Sequence, residues 1–300
     1  MNHHIFWISS YPKSGNTLLR AIISSIFFTN DGVFNFELLK KIVNFEDIAR
    51  LENIQNLHYK NFSGKSVKEK SSIIYDNLNQ LQEKKNLGFA EDFAFFKTHF
   101  SALNFDKKKF LINNFVRGIF YIVRDPRDVC VSWSKHANVS IDESIDFLTN
   151  KNSVIKWPGI EKNYNYSKNL PVFISSWDQH VNSWNKEIIN FPHLILKYEE
   201  LVYDKENIII KIINFFEKNY KLKVTNKDYK IKNILTSTDF KILQKEENEN
   251  GFIESVGNQF FSVGRKDQWK KKLSKKQIFL LESKFDKVMS NYGYQLGVEI

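Results

Sequence analysis

Short apolar runs alternate with amphipathic stretches along most of the chain. Residues 4–8 are an apolar run of strand length, followed by Ser9-Ser10-Tyr11-Pro12-Lys13-Ser14-Gly15-Asn16-Thr17 and a helix-like apolar stretch over 18–28. A continuous apolar run predicts a strand buried on both faces. Strand, small-residue loop and helix is the order in which backbone amides at a helix start become a phosphate cradle. Further strands are predicted at 93–96, running into Lys97-Thr98-His99, at 118–123 and at 193–196. Helices are predicted over 35–59 and 67–87 with the Asn61-Phe62-Ser63-Gly64 loop between them, then from 126 to about 135, over 175–189 and 205–216, and from 274 to about 292. Asp125 is placed to cap the helix at 126, with Pro126 at its first position and Asp128 where a capping-box acid sits. Residues 150–172 mix Asn, Lys, Tyr, Pro and Gly without a period, which predicts a long loop.

Strands alternating with helices predict an α/β fold, a central parallel sheet of about five strands flanked by helices on both faces. No repeat or linker interrupts the chain, so residues 1–300 are expected to form a single domain. Of the 300 residues, 42% are hydrophobic and 15% aromatic, enough for a large core and enough to exclude disorder, collagen and a disulfide scaffold. The lone cysteine, Cys130, lies among apolar neighbours and reads as core. With no intramolecular disulfide to form, no signal-peptide pattern and no window of 18 uncharged apolar residues, a cytoplasmic location is expected.

Forty-four Lys and Arg against 34 Asp and Glu leave a net charge of +10, which favours an anionic ligand. Only Arg20, Arg50, Arg117, Arg124, Arg127 and Arg265 are arginines, so most of the charge is lysine dispersed over a solvated surface. Arginine offers phosphate a planar fork, and the few present carry more information than the many lysines. The loop at 10–17 departs from G-x-x-x-x-G-K-[ST], because Lys13 precedes Gly15 and Asn16-Thr17 follows it. A magnesium-holding hydroxyl is therefore not spelled out, and no metal is expected. A nucleotide-dependent phosphate-loop kinase and a basic nucleic-acid-binding protein stand as alternatives at this point.

Five segments, in order, resemble sulfotransferases that use 3'-phosphoadenosine 5'-phosphosulfate (PAPS). They are Tyr11-Pro12-Lys13-Ser14-Gly15-Asn16-Thr17; Lys97-Thr98-His99; Tyr121-Ile122-Val123-Arg124-Asp125-Pro126-Arg127-Asp128 running on to Ser132; Trp177-Asp178-Gln179-His180-Val181-Asn182-Ser183-Trp184; and, more weakly, Val263-Gly264-Arg265-Lys266-Asp267-Gln268-Trp269-Lys270. The resemblance implies sulfuryl transfer from PAPS to a hydroxyl of an organic acceptor by in-line displacement, with adenosine 3',5'-bisphosphate as product. It implies His99 as general base, Lys13 at the departing phosphate oxygen and Lys97 beside the transferring group. Ser14, Gly15, Asn16 and Thr17 would hold the 5'-phosphate. Arg124, Ser132, Arg265 and Lys266 would hold the 3'-phosphate, with Tyr198 on the adenine side or in the core. His180 and Trp184, four apart on one helix face, read as packing.

Two departures stand out. Leu18 occupies the place of a tryptophan that packs on the nucleotide, and Asp267 that of a glycine beside the 3'-phosphate. The acceptor, a small molecule, lipid or carbohydrate, would be shaped by residues 30–90 and 140–172, where Trp157, Tyr164 and Tyr166 are candidate contacts. No nucleic-acid partner or transmembrane segment is implied, and no oligomeric state is carried over.

Overall fold

The strands form where the apolar runs lie. β1 (Ile5–Ser10), β2 (Val43–Asn44), β3 (Ala94–Thr98), β4 (Val116–Val123) and β7 (His193–Lys197) make one parallel sheet in the order β2-β3-β1-β4-β7, with helices around it. A separate antiparallel pair joins β5 (Val154–Ile155) to β6 (Val172–Phe173). The structure is a computed structural model that describes residues 3–47, 65–87, 91–155, 171–252, 254–255, 259–261 and 264–297. Every residue of β1 is buried, as a continuous apolar strand inside a parallel sheet requires. β1 pairs with β3 in the register Phe6↔Phe95, Ile8↔Lys97 and Ser9↔Thr98.

The helices are α1 (Asn16–Phe28), α2 (Val67–Asp76), α3 (Leu78–Gln82), α4 (Lys84–Leu87), α5 (Pro126–Ala137), α6 (Ile141–Thr149), α7 (Trp177–Ile188), α8 (Tyr198–Tyr203), α9 (Lys205–Tyr220), α10 (Lys227–Ser237), α11 (Phe240–Asn250), α12 (Trp269–Lys272) and α13 (Lys275–Asn291). The helix expected over 35–59 is not what forms in its described part. A single 3-10 turn (Phe36–Lys41), capped by the Asn35 side chain, leads into β2. The Leu39 carbonyl accepts the closing 3-10 bond from the Ile42 amide at 3.1 Å, and the Arg20 guanidinium donates to the Leu39 and Ile42 carbonyls, both at 3.3 Å, where the helix stops. The stretch 67–87 breaks into α2, α3 and α4 instead of one helix. The expected loop 61–64 and residues 156–170 with Trp157, Tyr164 and Tyr166 lie outside the described residues.

The chain divides into two compact units, taken here over their described residues. The first is Met1–Tyr11, Asn44–Phe120 and Asn150–His193. Its core is aromatic: Trp7 meets Phe45 edge-on at 4.9 Å and Phe110 at 5.3 Å, and Phe110 stacks on Phe100 at 5.2 Å. This bed of rings lies under the end of β3. The second unit is Pro12–Val43, Tyr121–Thr149 and Leu194–Ile300. There the C-terminus of α1 is closed by a buried lysine, the Lys230 ammonium donating to the Ile26 and Thr29 carbonyls at 2.9 and 2.7 Å. Among the described residues no helix is long and apolar enough to cross a membrane.

Candidate active site

In the second unit, Lys13 (φ 64°) and Gly15 (φ 99°) take left-handed backbone conformations, and α1 starts at Asn16 with no side-chain cap among the described residues. The first-turn amides thus depend on a partner from outside the helix. A Cβ on Gly15 would lie 2.6 Å from Cδ2 of Tyr198, so glycine is demanded twice, by conformation and by space. Gly15→Ala is expected to cost about 1–3 kcal/mol and lower the melting temperature by several degrees in thermal denaturation; an unchanged melting temperature would show that the loop and Tyr198 yield freely.

The loop is tied to the residue that follows β4. Arg124 is 4% exposed, donates from Nη1 to the Lys13 carbonyl at 2.8 Å, and lies with its guanidinium carbon 4.0 Å from the centre of the Tyr198 ring. The local ion pair falls instead to Arg127, held by Asp125 at 2.6 Å and Glu282 at 2.5 Å and lying over Trp269. Among the described residues Arg124 makes no ion pair. Its Nε and the Ser14 hydroxyl are buried without a hydrogen-bond partner among the described residues, a cost of about 1–3 kcal/mol each unless an oxygen acceptor takes them up.

The other expected anion ligands are placed unequally. The Lys13 ammonium lies 3.9 Å from the centre of the Phe260 ring. Asn16 is buried, and the Thr17 hydroxyl donates to Glu254 at 3.0 Å, which also pairs with Arg20 at 2.5 Å. For Thr17 to hold a phosphate through its hydroxyl, that bond must be exchanged. Ser132 is half-buried on α5, two turns beyond Pro126. Arg265 and Lys266 are exposed, and Lys266 lies against Tyr203, its amide 3.3 Å from the hydroxyl. Leu18 packs against a cluster built on Phe34, Phe252 and Phe261, where Phe36, Phe240 and Phe260 also pack. The position that lacks the tryptophan is therefore still surrounded by rings.

Asp128 does not close a capping box. Asp125 does cap α5, accepting from the Arg127 amide, but its own amide is taken by Glu199 at 3.2 Å. The Asp128 carboxylate accepts instead from the amides of Asp267 at 2.8 Å and Trp269 at 3.1 Å, fixing the late basic segment. Burial pushes its carboxyl up to about 6 against the opposing pull of Arg124. Asp267 has φ 61°, a conformation that favours glycine, and its carboxylate turns to Lys270 at 3.3 Å.

In the first unit, His99 stands just past β3 and is 9% exposed. Its Nδ1 lies 2.8 Å from the Ser10 carbonyl. A carbonyl only accepts, so Nδ1 carries the hydrogen and Nε2 is the basic nitrogen. The main chain here is gripped as well: His180 Nε2 donates to the His99 carbonyl at 3.1 Å and Trp184 Nε1 to the Phe100 carbonyl at 2.9 Å. Burial holds His180 neutral, its pKa down at about 3. The helix pair read as packing therefore also supports the histidine turn. Lys97 is 6% exposed on a strand flanked by β2 and β1, so it is not a strand-edge solubility charge.

Sequence reasoning missed Glu46, which is fully buried and accepts from the His99 amide at 2.6 Å and the Thr98 hydroxyl at 2.8 Å. In the sequence it stands between Phe45 and Asp47, where an acid carries no signal of its own. Cys130 is buried, its thiol pushed up to about 11 by burial, an inert setting. Among the described residues no group of three or more His, Cys, Asp or Glu side chains is placed to hold a metal.

The family described as "Sulfotransferase domain" matches residues 4–293. No curated protein matches the chain. Among solved structures, a mouse sulfotransferase, SULT7A1, complexed with PAP is similar at 18% identity and a TM-score of 0.59, over 97% of this chain and 85% of that one. Retinol dehydratase in complex with androsterone and inactive cofactor PAP is similar at 14% identity and a TM-score of 0.61, over 100% of this chain and 83% of that one. The same enzyme with retinol and PAP gives 16%, 0.60, 100% and 84%. At these identities the likeness is one of fold.

Proposed function

The chain belongs to the sulfotransferase family and is a PAPS-dependent transferase, and from that premise we propose which residues do the work: His99 as general base, Lys13 and Lys97 as the cations of transfer, and Arg124 with the 13–17 loop as the donor's phosphate ligands. The observation that carries the assignment is the bond from Arg124 to the Lys13 carbonyl, which joins the two segments expected to hold the two phosphates of one nucleotide. The buried, unpartnered Ser14 hydroxyl and Arg124 Nε fit an anionic donor, as does a loop that tolerates no Cβ at Gly15.

PAPS supplies an activated sulfuryl group whose bond to the 5'-phosphate breaks as the bond to the acceptor oxygen forms. His99 Nε2 takes the acceptor's hydroxyl proton while Nδ1–H stays on the Ser10 carbonyl, which keeps the imidazole in one tautomer throughout. Lys13 neutralises the charge gathering on the departing phosphate oxygen, and Lys97, already withdrawn from bulk water, stabilises the group in transit. Ser132, Asn16 and Thr17 complete the phosphate contacts, and Arg265 and Lys266 approach the 3'-phosphate from the segment that Asp128 fixes. Tyr198 serves as the wall on which Arg124 and Gly15 rest.

The acceptor we propose is a small organic hydroxyl compound. Two of the similar structures hold androsterone or retinol, and a screen of lipid, sugar and phenol acceptors with radiolabelled donor sulfate decides among the classes. We further propose one functional domain over residues 1–300 and a cytoplasmic location, which the buried, lone Cys130 supports. In a thermal shift assay adenosine 3',5'-bisphosphate is expected to stabilise the protein by about 3 kcal/mol at a hundredfold excess over its Kd, with ATP plus magnesium giving far less. Equal or reversed stabilisation would turn the assignment towards a kinase. Salt-sensitive DNA or RNA binding indifferent to Arg124→Ala would favour a nucleic-acid-binding protein.

A further inference from the structure

The main chain around His99 is held from two sides. Its carbonyls are taken by His180 and Trp184, and its amide by Glu46. Glu46 follows β2 and is separated from His99 by 53 positions in the chain. It is fully buried, and both hydrogen bonds converge on one oxygen, Oε1, from the His99 amide at 2.6 Å and the Thr98 hydroxyl at 2.8 Å. Thr98 Oγ1 in turn accepts from the Phe100 amide at 3.0 Å, so one carboxyl oxygen organises three successive residues. The Phe45 amide donates to the Lys97 carbonyl at 2.9 Å, which brings Glu46 to the end of β3 by main-chain pairing.

Burying a carboxyl group costs several kcal/mol unless its partners repay it, and here Oε2 has no hydrogen-bond partner among the described residues. A fold that needed only a filler would place an apolar residue there, as it does at Phe45. We infer that Glu46 is a positioning residue for the reaction: its Oε1 fixes the backbone at Thr98–His99–Phe100 so that the His99 imidazole keeps Nδ1 on the Ser10 carbonyl and presents Nε2 to the acceptor. This inference rests on His99 being the base. Asp47 adjoins Glu46 and Lys97 lies two residues before His99 in the chain, while His180, which bonds the His99 carbonyl, meets Tyr11 edge-on at 5.4 Å.

The test compares Glu46→Gln, which keeps an acceptor oxygen, with Glu46→Ala, which removes it. Thr98→Val serves as a shape-conserving third variant that removes the hydroxyl, and with it both the bond to Glu46 and the acceptor of the Phe100 amide. Three readouts are used: kcat with 4-nitrophenol, or the best acceptor found in the screen; affinity for adenosine 3',5'-bisphosphate by calorimetry; and the ¹⁵N-imidazole NMR signature of His99, assigned with His99→Asn. Glu46→Ala is expected to lower kcat about 100-fold and Thr98→Val about 10-fold, with nucleotide affinity within about twofold of the parent and the single Nδ1–H tautomer giving way to a mixture. Glu46→Gln should restore kcat to within about fivefold of the parent and return the single tautomer. Unchanged kcat and tautomer in Glu46→Ala would overturn the inference. So would a Gln variant as impaired as the Ala variant, or, if Glu46→Ala does not fold, a Thr98→Val variant with parental kcat and tautomer. Tautomer loss in Glu46→Ala alongside a parent that transfers sulfate to no acceptor would uphold the positioning and sink the proposed role of His99 instead.

Discussion

Replacing His99 by alanine should lower sulfuryl transfer by about 100- to 10,000-fold, the range general-base catalysis supplies, while leaving affinity for adenosine 3',5'-bisphosphate within about twofold of the parent. The two effects separate because the groups expected to hold the nucleotide, Arg124 and the loop around Gly15, are positioned by contacts of their own with Lys13 and Tyr198. The fold should survive, since Glu46, His180 and Trp184 grip the main chain of residues 99 and 100 rather than the imidazole. Undiminished transfer would place the base elsewhere, and lost nucleotide binding would make the imidazole part of the donor site.

Arg124→Met is expected to weaken adenosine 3',5'-bisphosphate about 100-fold in calorimetry, because a charge-assisted contact to a phosphate contributes about 1.5–3 kcal/mol and methionine retains only the apolar stem. Adenosine 5'-monophosphate, which has no 3'-phosphate, should lose little. The comparison is needed because Arg124 does two things, supporting the loop through the Lys13 carbonyl and offering the rest of its guanidinium beside Tyr198. An equal loss for both nucleotides would show that only the loop support matters. Transfer at saturating donor should fall less than affinity does, since the 3'-phosphate is remote from the reacting sulfur.

The readable parts of the site are those whose signals are local. A continuous apolar run, a small-residue loop and an amphipathic stretch mark β1, the loop proposed to hold the 5'-phosphate and α1 within 25 residues. Pro126 after Asp125 marks the start of α5, and the Asp125 side chain does cap it. Arg124 and Arg127 are indistinguishable at that range, each an arginine beside aspartates. One pairs with Asp125 and Glu282; the other is bonded to a main-chain carbonyl and is without an ion pair among the described residues. The helix expected from residue 35 fails for a similar reason. Apolar spacing there is equally compatible with a 3-10 turn and a short strand, and Arg20, from α1, donates to the Leu39 and Ile42 carbonyls at the point where the helix stops.

The sequence by itself determined the α/β order and the placing of Lys13, Gly15, His99 and Arg124 in the segments that follow strands, because hydrophobic period, turn chemistry and capping act over a few residues; the family was legible only as a resemblance of five ordered motifs. Only the tertiary structure decided what those residues meet: Arg124 on a carbonyl 111 positions away, Asp128 on amides 139 and 141 away, and Glu46 on the His99 amide. The physical reason is burial. A charged or polar group withdrawn from water must find its partner wherever packing brings one, and packing is a property of segments far apart in the chain.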